Sequence, residues 1–262
     1  MKFVKQHITE ALEGGVRFDG RKLLEFRRIE VKVGGIKTAE GFARVKIGKT
    51  EVLAGVKLGV GTPYPDTPDE GTISVNAELS PMASPEFESG PPSVKAIEMA
   101  RIVDRGIREA ETIDLKKLCI EPYEKVWTVN IDLWPINDSG NLIDAFGLAA
   151  IAALKNTVFP EYDGRIVNYK KLTDKKLPIS KLPLPVTVVK IGKALIVDPT
   201  NEEEEILDAR LTAAVTEDDV ITALQKGGES PITIDEAKKM VDIAIKKSKV
   251  LRKALEKAFE TN

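Results

Sequence analysis

The amino-acid sequence predicts an α/β (α+β) fold: two related strand-and-helix halves whose mixed sheets pack against helices. Three observations point there. Short apolar runs of period two recur through the first part of the chain and again after residue 186, and each series leads into a helical pattern. A length of 262 residues suffices for one large domain or two closely packed halves. A content of 42% hydrophobic and 31% charged residues is that of a soluble globular chain.

Val4, Ile8 and Leu12 recur every four residues and predict a short N-terminal helix ended by Gly14 and Gly15. A turn over Arg17-Phe18-Asp19-Gly20-Arg21 follows. Strands are predicted over Ile29 to Val33, Phe42 to Ile47, Glu51 to Leu58 and Ile73 to Leu79, the second and third joined by a tight Gly48-Lys49-Thr50 turn. Two proline-bearing loops, Gly61 to Gly71 and Ser80 to Ser93, are too long for simple hairpins and are candidates for partner or ligand contact. From Val94 to Ala110 the pattern is helical. Ala96, Met99, Ala100, Val103, Ile107 and Ala110 share one side, and Arg101, Arg105 and Arg108 share the opposite one. On residues alone this stripe is open to two readings. It is either a solvated face paired with Asp104 and Glu109, or a row of guanidinium forks that track phosphates.

The centre of the chain is Val126 to Leu154. Trp127, Val129, Ile131 and Leu133 alternate with Thr128, Asn130, Asp132 and Trp134 as in a strand, which Pro135 is expected to end. The loop Asn137-Asp138-Ser139-Gly140-Asn141 leads into a helix, with Asn141 as N-cap and Asp144 on the first turn. The small residues Ala145, Gly147, Ala149, Ala150, Ala152 and Ala153 predict burial on more than one side. A strand, a glycine-bearing loop and a helix N-terminus form a natural anion site. Here Asp138 and Asp144 oppose an anion, Leu142 is apolar, and no Lys or Arg lies between Lys125 and Lys155.

Strands over Val186 to Ile191, Ala194 to Val197, Leu211 to Thr216 and Val220 to Leu224, then a helix from Asp235 to about Phe259, repeat the order of the first part. In that helix Val241, Ala244, Ile245, Leu251, Leu255 and Phe259 form the apolar stripe. The expected organisation is a single unit with an N-terminal half at 1–167, a Lys/Pro-rich connector at 168–185 and a C-terminal half at 186–262.

A net charge of −2 excludes binding of nucleic acid by overall basicity, so such contact needs a local cluster of cations. No apolar run is long enough for a membrane span, and the N-terminus has no secretory pattern, so the expected location is the cytoplasm. The single cysteine, Cys119, is expected to be a small core residue, and the single histidine, His7, to sit on a surface helix without ligand-like neighbours. Gly48-Lys49-Thr50 imitates a P-loop but leads into a strand, and Gly59-Val60-Gly61 lacks the third glycine of a dinucleotide loop. Asp198-Pro199-Thr200 with Glu202 to Glu205 reads as a helix capping box (Thr200, Glu203) in preference to a metal cluster.

In this order, Arg17-Phe18-Asp19-Gly20-Arg21, Ile107-Arg108-Glu109-Ala110, Asn137-Asp138-Ser139-Gly140-Asn141 and Asp198-Pro199-Thr200 resemble the RNase PH family over nearly the whole chain. The segment from Arg101 to Glu109, with Ile113-Asp114-Leu115 and Leu118 to Pro122, is similar to the non-catalytic RNase PH-like subunit of the archaeal exosome ring. The resemblance implies an RNase PH-like fold and a place in RNA degradation, which active members perform from the 3′ end with phosphate as nucleophile. That chemistry needs groups that hold phosphate and an acid for the leaving oxygen. In the active branch the loop continues from Asp, a small residue and Gly into a hydroxyl residue and an arginine. Asp138, Ser139 and Gly140 keep the first part, whereas Asn141 and Leu142 replace the rest, so the phosphate site is degenerate. Further on, Arg210 stands where the general acid is expected, unless the register slips by two and restores Asp208.

The resemblance therefore implies no catalytic residues, no cofactor and no metal. It implies pairing with a catalytic RNase PH-like exosome subunit, three such heterodimers in a ring, RNA-binding cap proteins on one face, and single-stranded RNA held by Arg101, Arg105 and Arg108. An active phosphorolytic exoribonuclease and a purely structural ring subunit are the alternatives.

Overall fold

The structure, a computed structural model, describes residues 2–260, with side chains from Lys5 onwards. Val4, one of the three residues of the first predicted stripe, lies outside the described side chains. Helix α1 (Lys2–Glu13) buries Ile8 and Leu12 against Val189, Ile191, Ala194 and Ile196.

The first sheet contains β1 (Ile29–Val33), β2 (Gly41–Ile47), β3 (Thr50–Gly61), β4 (Thr72–Ala77), β5 (Cys119–Glu121) and β6 (Lys125–Asn137). Its order is β1-β2-β3-β6-β4, with β5 beside β6, and every pairing is antiparallel except β4 with β6. Gly48 and Lys49 form the two-residue turn of the β2–β3 hairpin, where Gly48 has φ 60°, so the resemblance to a P-loop ends there.

Strand β6 does not stop at Pro135 as expected but runs on to Asn137. The ladder with β4 ends at Leu133, so beyond it β6 has only β3 as a neighbour. The amide that proline lacks is not required on the open side. Cys119 is half-buried at the start of β5, and it is neighbouring Leu118 that is fully buried.

The second sheet has the order β10-β9-β11-β12, all antiparallel: β9 (Leu184–Ile191), β10 (Ala194–Val197), β11 (Ala209–Val215) and β12 (Ile221–Gly227). Strand β9 is apolar almost throughout because α1 covers one face and the main core the other.

Between the sheets lie α2 (Val94–Glu109), α3 (Leu142–Asn156) and α5 (Ile234–Glu260), with α2 against β4 and β12, and α5 against β9, β11 and β1. Helix α3 packs on β2 and β3 on one side and β9 on the other, so every residue from Leu142 to Leu154 is buried. A Cβ at Gly147 would overlap the Pro185 ring, so the missing side chain sets how closely α3 approaches β9. In α5 the buried line is Met240, Ala244, Ser248, Leu251 and Leu255, while Val241, Ile245 and Phe259 are partly covered. One continuous core spans both sheets, from Ala43 and Val45 to Leu211 and Leu255.

Three short elements have no counterpart in the sequence patterns, a 3-10 turn (Leu115–Leu118), β5 and β7 (Val158–Tyr162), whereas α4 (Asn201–Glu205) starts at the expected Thr200–Glu203 capping box. The stretch read as a connector at 168–185 holds most of a further strand, β8 (Val167–Lys176), which pairs with β7 in a separate two-stranded ribbon.

Candidate functional site

The loop before α3 is held from below by Thr50 and from the side by Arg27. The Thr50 hydroxyl donates to the Gly140 carbonyl at 2.6 Å and accepts from the Ser139 amide at 3.1 Å. Arg27 donates to the carbonyls of Ser139 at 2.6 Å and Gly140 at 3.1 Å. Asp138 turns its carboxylate onto the Gly140 amide at 3.0 Å. Gly140 has φ 85°, and a side chain there would overlap the Pro199 carbonyl, so this position admits only glycine.

Asn141 occupies the N-cap position with left-handed backbone (φ 62°), but its side chain does not cap the helix. Its amide nitrogen donates instead to Asp198 at 3.0 Å. Asp198 is fully buried and joins distant segments: Arg21 donates to it at 2.8 Å, and Arg27 donates at 2.7 and 2.9 Å from its side chain and at 2.8 Å from its backbone. Arg17, also buried, spans the carbonyls of Val197 and Asp198 and the Glu203 carboxylate. The motif from Arg17 to Arg21 is thus a clamp on the segment 197–203, which also carries the Thr200–Glu203 capping box. Buried charges of this kind are tolerated because each has opposite charge and hydrogen bonds around it.

A cleft of about 240 Å³ opens over the loop, lined by the carboxylates Glu86, Glu98, Asp138, Glu204 and Glu205 and by two cations, Lys95 and Arg210. Both cations have a carboxylate partner, although the buried Arg210 Nε has none. Lys95 lies 3.8 Å from Asp138, and Arg210 pairs with Glu98 at 2.6 Å. The Asn141 backbone amide, a donor that an anion at this helix end would use, is already taken by Glu204 at 2.8 Å. Burial holds the Glu204 carboxyl above the usual carboxylate range, and the Asn141 amide and Lys95 offset this only in part. Leu142 is buried in the core and does not face the cleft. With five carboxylates against two paired cations, the cleft repels phosphate.

Arg210 faces the cleft, whereas Asp208 turns away from it to Lys5 at 3.0 Å and the Gly192 amide at 2.7 Å. Among the described residues no group of three or more His, Cys, Asp or Glu side chains is placed to hold a metal ion. His7 is exposed and stacks on Phe18, their rings 5.3 Å apart.

The arginine stripe stands apart from this loop, on the outer side of α2. Ser93 caps the helix by accepting from Ala96 at 3.2 Å. Arg108 is tied to Asp104 at 2.8 Å and to the Ile73 carbonyl at 3.1 Å. Arg101 and Arg105 are exposed and have no side-chain partner among the described residues, and Arg105 borders a crevice against Leu224 and Gln225 of β12. Two of the three predicted cations are therefore free for a ligand. The residues that sequence reasoning missed are Arg27 and Glu204. Glu204 contacts Asn141 across 63 positions of chain, a separation at which no local pattern signals a contact.

Residues 25–160 match domain 1 of the 3′ exoribonuclease (RNase PH) family and residues 181–247 match domain 2. The exosome complex component Rrp42 of Methanothermobacter thermautotrophicus is 46% identical over 262 residues, covering 98% of this chain and 96% of its own length. Rrp42 of Thermococcus gammatolerans is 46% identical over 255 residues, covering 96% and 93%. Among solved structures, a chain of the Archaeoglobus fulgidus exosome with RNA bound to the active site superposes with a TM-score of 0.89 at 45% identity, covering 96% of this chain and 97% of that one. A chain of an archaeal exosome core gives 0.85 at 41%, with 97% of each chain covered.

Proposed function

Because the chain belongs to the RNase PH family of 3′ exoribonucleases, we propose that it is the non-catalytic ring subunit of an archaeal-type exosome, contacting RNA while a catalytic RNase PH-like partner performs phosphorolysis. The observation that carries this reading is the closed anion site at the start of α3. Glu204 occupies the Asn141 amide, Leu142 points into the core, and both cleft cations are paired with carboxylates. An attacking phosphate needs donors and positive charge where this cleft offers acceptors. The exosome relatives, 46% identical over nearly the full chain, support a place in an exosome core; three heterodimers in a ring with RNA-binding cap proteins on one face are our proposal for its assembly. We keep the division into halves at 1–167 and 186–262, each built around its own sheet.

Arg101 and Arg105 are the residues we assign to RNA, with Arg108 as a partly engaged third. Free guanidinium forks on one face of a chain of net charge −2 are the local cluster that such binding requires. In the ring assembled with the catalytic partner, Arg101→Ala with Arg105→Ala is expected to weaken single-stranded RNA binding. The slope of log affinity against log salt should fall by about 1.4, two contacts at about 0.7 each. An affinity and slope equal to those of the unaltered ring would favour the purely structural reading.

A further inference from the structure

The ribbon formed by β7 and β8 belongs to neither large sheet. Its base is fixed by aromatic contact: Trp127 meets the ring of Phe159 edge-on at 5.1 Å and that of Tyr162 at 5.6 Å. From there β8 runs out into solvent, exposed at every residue from Asn168 to Lys176. Such a ribbon has almost no core of its own, so its sequence answers to something other than packing.

Its charge is basic, against a chain of net charge −2. From 157 to 183 six basic side chains, Arg165, Lys170, Lys171, Lys175, Lys176 and Lys181, face three acidic ones, Glu161, Asp163 and Asp174. Lys171 pairs with Glu161 at 2.7 Å and Lys175 lies over the Phe159 ring, but the side chains of Arg165, Lys170 and Lys176 have no partner among the described residues. Exposed Ile166, Tyr169 and Leu172 lie among them. The end of β8 leads directly to the C-terminal end of α2. The Ser180 amide donates to Thr112 at 2.8 Å, the Asp114 amide donates to Pro178 at 3.1 Å, and Ile113 bridges Ile179. The backbone just beyond β8 therefore lies against the segment that follows α2.

We propose that the basic face of the β7–β8 ribbon is a second binding surface for the phosphate backbone of single-stranded RNA, continuous with Arg101, Arg105 and Arg108. This rests on the RNA-contacting role proposed above. Long flexible ammonium side chains suit a backbone without fixed geometry, and Tyr169, half exposed with the Lys57 ammonium 4.3 Å from its ring centroid, can take a base only on its other face. A protein strand is the poorer occupant, because lysines along an open strand edge oppose strand addition.

The test is equilibrium binding of a short and a long single-stranded RNA across a salt series, with Lys170, Lys171, Lys175 and Lys176 all changed to Gln. The chain alone and the assembled ring are both measured, beside Arg101→Ala/Arg105→Ala. The expected result is unchanged assembly, weakened binding of the long RNA only, and a salt slope lower by up to about 2.8, four contacts at about 0.7 each. An unchanged slope for the lysine variant while the arginine variant loses affinity would overturn the ribbon and leave the arginines standing. Loss of ring assembly without any change in the RNA binding of the chain alone would also overturn it, showing a protein contact instead. If neither variant changes binding, both the ribbon and the wider RNA-contacting role fail.

Discussion

Asp144 sits on the first turn of α3, fully buried, with Oδ1 accepting the Thr187 amide at 2.8 Å and Oδ2 lacking a donor. Its neighbour Asn141 likewise has an unpaired Oδ1, since the Asn141 amide nitrogen is directed to Asp198. The Asp144 pKa is raised from 3.8 to about 7, chiefly by burial and also by the Asp198 charge, with the Thr187 and Asn141 hydrogen bonds opposing the rise. The folded state thus holds a proton that the unfolded chain releases near pH 4. The stabilisation is complete below that pH and is lost as pH rises through about 7, at up to about 1.4 kcal/mol per pH unit. Asp144→Asn keeps an acceptor for Thr187 and removes the titrating group. Urea denaturation at a series of pH values is expected to show a flatter profile between pH 4 and 7 and a higher midpoint at pH 8 than the parent. A parallel decline in both proteins would refute this assignment. The carboxylate at the helix start was legible in the sequence as a helix-start residue. Its isolation was not, because it comes from β9 and from Asp198 closing over it.

At the scale of elements, α3 shows what a local pattern conveys. Its alanines and Gly147 announced a helix buried on more than one side, and the two sheets supply those sides. Gly147→Ala tests which of two opposed effects wins. Alanine gains up to about 1 kcal/mol in helix propensity, whereas a methyl group overlapping Pro185 costs about 1–3 kcal/mol by overpacking. The close contact is with a rigid proline ring, so a net loss is expected, read as a lower denaturation midpoint; a higher midpoint would show that the α3–β9 spacing yields readily. Elsewhere local patterns fell short for definite reasons. Pro135 reads as a strand breaker, yet β6 continues because its neighbour on one side has already ended. Strand β8 reads as a connector because its exposed lysines show neither apolar alternation nor turn chemistry, and only pairing with β7 reveals it.

For the whole molecule, the order of strands, helices and motifs was enough to identify the fold, since each half repeats a pattern of strands closing on a helix. The apolar residue at the start of α3 was also legible, as Leu142 lies within a contiguous motif. What closes the site was not: Glu204, Arg27 and Asp198 meet the loop only because the Arg17–Arg21 clamp draws the two halves together. The central claim is that this assembly meets an attacking phosphate with acceptors where donors and positive charge are needed. Its most direct test is phosphate-dependent shortening of a 3′-extended RNA with Mg²⁺ present, by the chain alone, by the catalytic partner alone and by both. The account predicts no nucleoside diphosphate from the chain alone and, from the pair, a rate above that of the partner alone. Sustained release of nucleoside diphosphates by the chain alone would contradict it.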